Sequence, residues 1–171
     1  MSSNREEAVP AGASGPLVLF THLVIPGQIH PKGSMRSFGP GRMVENSKLG
    51  VAWRKNAIPH IREAASRIPA GWIEQERGIV ITASYVVNQF KTVQREWPWS
   101  RKHGDVDKYD RNLHDALEQG GLITDDARIV SHYSHKRFAR EDEEAHTYVE
   151  IAHGTYLDIP EYIKTFIIRQ L

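Results

Sequence analysis

The chain has 171 residues, 40% of them hydrophobic and 25% charged, and it contains no cysteine. This composition is ordinary for a globular protein: it excludes global disorder, and the lack of cysteine excludes disulfides, thiolate zinc sites and cysteine nucleophiles. The net charge is only +1. Basic residues are nevertheless concentrated, with Lys32, Arg36, Arg42, Lys48, Arg54, Lys55, Arg62 and Arg67 facing only Glu45 and Glu63 between residues 31 and 67.

Residues 1–15 are rich in Ser, Gly, Ala and Pro and read as a mobile tail ahead of one domain over residues 16–171. Residues 17–25, LVLFTHLVI, form a short apolar run bounded by prolines, the pattern of a buried strand. Residues 26–46 carry several Pro and Gly, including Gly39-Pro40-Gly41, and read as a long loop. A helix is predicted from Ser47 to Ile68, capped by Ser47. Its apolar face would hold Val51, Ile58, Ile61 and Ala65, widened by Ala52, Trp53 and Ala57, with Pro59 kinking or dividing it.

Residues 78–88, GIVITASYVVN, are rich in β-branched residues and give the clearest strand. Residues 89–104 form a second basic loop containing Trp97 and Trp99, which either stack on unpaired bases or pack against the body. Asp107–Gln119 reads as a helix ended by Gly120-Gly121. Ala127–Ala139 and His146–Gly154 read as strands, joined by an acid-rich, solvated turn as a hairpin. Asp158-Ile159-Pro160-Glu161 then opens a helix bearing Ile159, Tyr162, Ile163, Phe166, Ile167 and Leu171 on one face. The expectation is a single α+β domain: a mixed sheet of about four strands with about three helices. No apolar run reaches the roughly 18–20 residues of a membrane span and the N-terminus lacks the apolar core of a secretory signal, so a cytoplasmic protein with no membrane partner is expected.

The stretch richest in chemistry is GDVDKYDRNLHDAL from Gly104, followed by Thr124-Asp125-Asp126. Asp107, Arg111 and Asp115 lie four apart on one helix face, Asp105 precedes the helix, and Asp125 and Asp126 precede the next strand. A helix start and a strand start can bring three carboxylates to one point. Clustered carboxylates repel, and a hard divalent cation such as Mg²⁺ or Mn²⁺ relieves that repulsion. Beside basic loops, such a cluster suits phosphodiester cleavage; the competing reading is helix caps, a solvated turn and ordinary surface charge. His132 and His135, three apart in a strand, face opposite sides and make a poor metal pair.

These residues resemble the RusA family of Holliday junction resolvases. The shared pattern is an Asp-x-Asp pair opening a helix (Asp105, Asp107), a basic residue four positions on (Arg111), Asp-Ala-Leu (Asp115-Ala116-Leu117), and Asp-Asp before the next strand (Asp125-Asp126). A strand followed by Pro-Gly and Pro-Lys matches Ile25-Pro26-Gly27 and Pro31-Lys32, with Arg36 nearby. The order of elements matches from about Leu17 to Gly154. The chain departs from the family at Gly104, where proline is usual, at Lys108, where asparagine is usual, and at Arg111, where the family has lysine. Arginine stays charged, so Arg111 can supply positive charge but no proton.

The resemblance implies a RusA-like fold and a Mg²⁺-dependent endodeoxyribonuclease, with Mn²⁺ as a substitute, that cuts four-way DNA junctions by paired nicks. It further implies Asp105, Asp107 and Asp126 as catalytic metal ligands, Asp125 or Asp115 as an outer one, and Arg111 beside the scissile phosphate. Asp115 or Asp125 would support these, one of them by holding Arg111. Lys32, Arg36, Arg42, Arg101 and Lys102 would contact phosphates without reading sequence. A homodimer is expected, because a junction offers two equivalent strands and each chain one cluster; the C-terminal helix offers an interface unless it packs on its own sheet. A flap- or fork-specific metal nuclease and a non-catalytic junction-binding protein are the alternatives.

Overall fold

The computed structural model describes residues 18–37, 43–45, 47–69, 71, 73, 78–91, 96–99, 103–153, 163–164 and 166–167. Among the described residues six strands form: β1 (Val18–Pro26), β2 (Met35–Ser37), β3 (Met43–Glu45), β4 (Ile79–Val87), β5 (Ile129–Phe138) and β6 (His146–His153). Among the described residues the long helices are α1 (Lys48–Ser66) and α2 (Val106–Gln119), and a 3-10 turn spans Asp126–Arg128. Four strands make a mixed sheet in the order β1-β6-β4-β5, in which β4 and β5 run parallel and β6 runs antiparallel to both neighbours.

β4 is buried at every position, as its run of β-branched residues requires for a strand covered on both faces. Ile79, Ile81, Ala83, Tyr85 and Val87 of β4 face the helices, where they meet Leu23 and Ile25 of β1, Val149 and Ile151 of β6, and the inner faces of α1 and α2. Among the described residues of the C-terminal segment, Ile163, Lys164, Phe166 and Ile167 are helical. Phe166 is fully buried on the opposite sheet face, against Tyr133, His135 and Tyr148. That contact is the packing of this segment on its own sheet. Ile159, Tyr162, Leu171 and the capping sequence from Asp158 lie outside the described residues, as does the tail over 1–15.

Three expectations change. β5 and β6 do not form a hairpin: β6 inserts between β1 and β4, and residues 139–145 carry the chain from the β5 edge across the end of β4. The turn is held by Arg137, which forks onto Glu143 at 2.5 and 2.6 Å, and by the Ala139 amide donating to the Val87 carbonyl. Residues 26–46 are not loop alone, because β2 and β3 pair antiparallel within them. Of the two outcomes open at Pro59 the division does not occur, and α1 runs through it as one helix. Its buried stripe is Gly50, Trp53, Arg54, Ala57, Ile61 and Ala64, rotated from the predicted face because Arg54 turns inward to an ion-pair network. Ser47 does cap α1, its hydroxyl accepting from the Gly50 amide at 3.0 Å.

Candidate functional site

The parallel pair β4–β5 needs a crossover, and α2 supplies it. Gly104 delivers the chain into α2 with φ +73°, a left-handed conformation unavailable to proline. An added Cβ there would stand 2.3 Å from Cγ of Pro31. A proline at this position would therefore need a different backbone.

Asp105 occupies the N-cap of α2, but its carboxylate makes no capping hydrogen bond. It lies instead 3.1 Å from Nζ of Lys108. Asp107 pairs with Arg111 one turn on. All four side chains are solvent-exposed, so these pairs hold weakly and their groups can exchange for other ions. Lys136 of β5 reaches the same helix start, donating to the Gly104 carbonyl at 2.5 Å. Burial lowers its pKa, while the nearby charge of Asp105 opposes that shift.

Asp115 does not hold Arg111. Successive four-residue steps drift by about 40° around a helix, which carries Asp115 away from the Asp107 face toward α1. There it accepts from Arg54, whose other guanidinium nitrogen binds Glu45 at the end of β3, and from Nζ of Lys32 at 2.7 Å. Glu45 also accepts the Gly33 amide at 3.1 Å. Two cations and two carboxylates thus tie the β2–β3 hairpin to both helices, and Lys32, expected on phosphate, joins this network. Asn112 reinforces it by donating to the carbonyls of His30 and Gly50 at 2.9 and 3.2 Å.

The two acidic pairs stand toward opposite ends of α2. Asp105 and Asp107 start the helix, whereas Asp125 and Asp126 follow its end, and its 14 residues span about 21 Å. Asp125 is occupied as the cap of the 3-10 turn, accepting the Ala127 amide at 2.8 Å. Among the described residues no group of three or more His, Asp or Glu side chains is close enough to hold a metal ion. Asp105, Asp107 and Asp126 form no such group among the described residues. Arg36 lies on β2 opposite Val44, and Arg42, Arg101 and Lys102 lie outside the described residues.

A second polar cluster, which the sequence did not reveal, sits between α2 and the sheet. Tyr85 donates to Asp110 at 2.7 Å, and His114 Nε2 lies 2.8 Å from His132 Nδ1. His132 and His135 do face opposite sides: His135 contacts Ser84 at 3.1 Å and Phe166 on the other sheet face. The available signal was Asp110 and His114, four apart on the same α2 stripe and so turned to the sheet together. Trp97 and Trp99 are exposed at 52% and 68%. No protein-family model matches the chain, and a search of curated proteins finds no match. Among the described residues no helix is long and apolar enough to cross a membrane.

Proposed function

We propose that this chain is a divalent-metal-dependent endodeoxyribonuclease that cuts four-way junctions by paired nicks, acting as a homodimer on DNA in the cytoplasm. The observation that carries this reading is the start of α2. Two exposed carboxylates, Asp105 and Asp107, are held there without being consumed as helix caps, beside the cations Lys108, Arg111 and Lys136. Two carboxylates with water are what Mg²⁺ takes when it also binds a phosphate, and Mn²⁺ suits the same oxygens. A bound Mg²⁺ would supply an activated water and neutralise charge on the scissile phosphate. Arg111, freed from Asp107, would place a fixed positive charge on that phosphate. Lys136 would hold the Gly104 carbonyl and so fix where the two carboxylates project.

Labelled four-way junction, flap and linear duplex, each with and without Mg²⁺, test the reading. Paired nicks in the junction alone are expected. Asp107→Asn should cut turnover by about two orders of magnitude or more while junction affinity holds or rises, since a negative charge near phosphate is lost. Arg111→Lys should retain activity that Arg111→Ala loses. Normal cleavage by both Asp107→Asn and Asp126→Asn would show the site to be misassigned. The separation of Asp105 and Asp107 from Asp126 along α2 favours one second reading, a junction-binding module without catalysis. Tight junction binding with no cleavage of any substrate would select it.

A further inference from the structure

We infer that His114 and His132 form a site for a divalent transition-metal ion of the nickel or copper class, separate from the carboxylates at the start of α2. His114 projects from the middle of α2 and His132 from β5, and their inward nitrogens, Nε2 and Nδ1, are 2.8 Å apart. Two nitrogens bound to one metal at about 2.0–2.1 Å and at a right angle to each other stand about 2.9 Å apart. The observed spacing is thus that of adjacent ligands in a tetragonal or octahedral shell, the geometry of Ni²⁺ or Cu²⁺ rather than tetrahedral Zn²⁺.

For both inward nitrogens to offer lone pairs, each ring must carry its proton on the outward nitrogen. In His132 that is Nε2, which is buried, has no hydrogen-bond partner, and faces Asp110 Oδ1 at 3.7 Å. Asp110 is itself held by the Tyr85 hydroxyl at 2.7 Å. A carboxylate behind the outer nitrogen of a ligating histidine fixes the ring's tautomer and raises its basicity. The charges of Asp110, Asp126 and Asp115 all reach His114 and favour a cation there, yet burial holds both imidazoles down to about 4. In the metal-free protein one inward nitrogen donates to the other, and ligation requires that ring to shift its proton to its outward nitrogen. The protein supplies two nitrogens and water completes the shell.

The test needs no DNA and so is independent of the nuclease reading. Ni²⁺ titrated into the metal-free full-length chain at neutral pH should bind at one ion per chain by calorimetry. The Cu²⁺ complex should show coupling to two nitrogens by electron paramagnetic resonance. His114→Gln and His132→Gln should each abolish that site, Asp110→Asn should weaken it by about 10- to 100-fold, and His146→Gln should leave it unchanged. Circular dichroism reports whether each variant is folded. The nitrogen count in the unmutated protein decides the matter even if His132→Gln fails to fold. No Ni²⁺ binding, a Cu²⁺ signal without two nitrogens, or unaltered affinity in folded His114→Gln would overturn the assignment.

Discussion

Arg54 is the side chain whose removal the structure answers most clearly. It is 10% exposed and bridges Glu45, also 10% exposed, to Asp115, 21% exposed. Arg54→Met keeps most of the aliphatic stem and deletes the charge. Asp115 then retains Lys32 at 2.7 Å, while among the described residues Glu45 retains the Gly33 amide at 3.1 Å. Breaking a buried pair by removing one partner costs about 3–5 kcal/mol, and the surviving contacts put this case at the low end, about 3 kcal/mol. With a urea dependence of about 2 kcal/mol per molar, the unfolding midpoint should fall by about 1.5 M. Neutralising the orphaned partners as well, in Arg54→Met/Glu45→Gln/Asp115→Asn, should recover most of the loss, because the cost lies in the unpaired charges. A single-variant loss below about 1 kcal/mol, typical of exposed pairs, would refute the claim that this network carries the junction of hairpin and helices.

Gly104→Ala should destabilise by about 1–3 kcal/mol for its positive φ and by more for the clash with Pro31, so its thermal midpoint should fall further than that of Gly121→Ala. Gly121 has a similar φ of +76° and open space around it; equal losses would show that Pro31 yields freely. Arg137 holds the Glu143 carboxyl down to about 2, below its usual 4.5. A depressed carboxyl stabilises the fold above its unfolded value and ceases to do so as pH falls through the folded one. Glu143→Gln should therefore be less stable than the parent at neutral pH, by about 1–2 kcal/mol for a partly exposed forked pair. The gap should close between about pH 4.5 and 2 in acid titrations followed by circular dichroism.

What the sequence discloses depends on how local the physics is. The strand Ile79–Val87 is written in its own β-branched residues, and the start of α1 in the hydroxyl of Ser47. The strand order is not local: nothing within His146–His153 states that its neighbours are β1 and β4 rather than the adjacent β5. The face of α1 is legible in Trp53, Ala57 and Ile61, but Arg54 reads as solvent-facing, and only the distant Asp115 and Glu45 turn it inward. The acid motif around Asp105 and Asp107 was legible as a helix start. Its relation to Asp126 was not, since a crossover helix between parallel strands necessarily travels the length of the sheet before the chain re-enters it. His114 and His132 meet only because α2 lies across β5.

The position of β6 bears on how the chain can be made. Within the main sheet β1 pairs only with β6, and β6 emerges about 120 residues after β1 ends, roughly 6–24 s of synthesis. Throughout that interval β1 lacks its only partner in the sheet, and one side of β4 stays open. Both strands present unpaired amides and carbonyls to whatever is nearby. The helices and the β4–α2–β5 unit can form as they leave the ribosome, but the sheet closes last, by insertion into its own middle. Folding is thus tied to completion of the message through His153, and ribosome stalling anywhere between residues 88 and 145 would leave a species prone to strand-to-strand association.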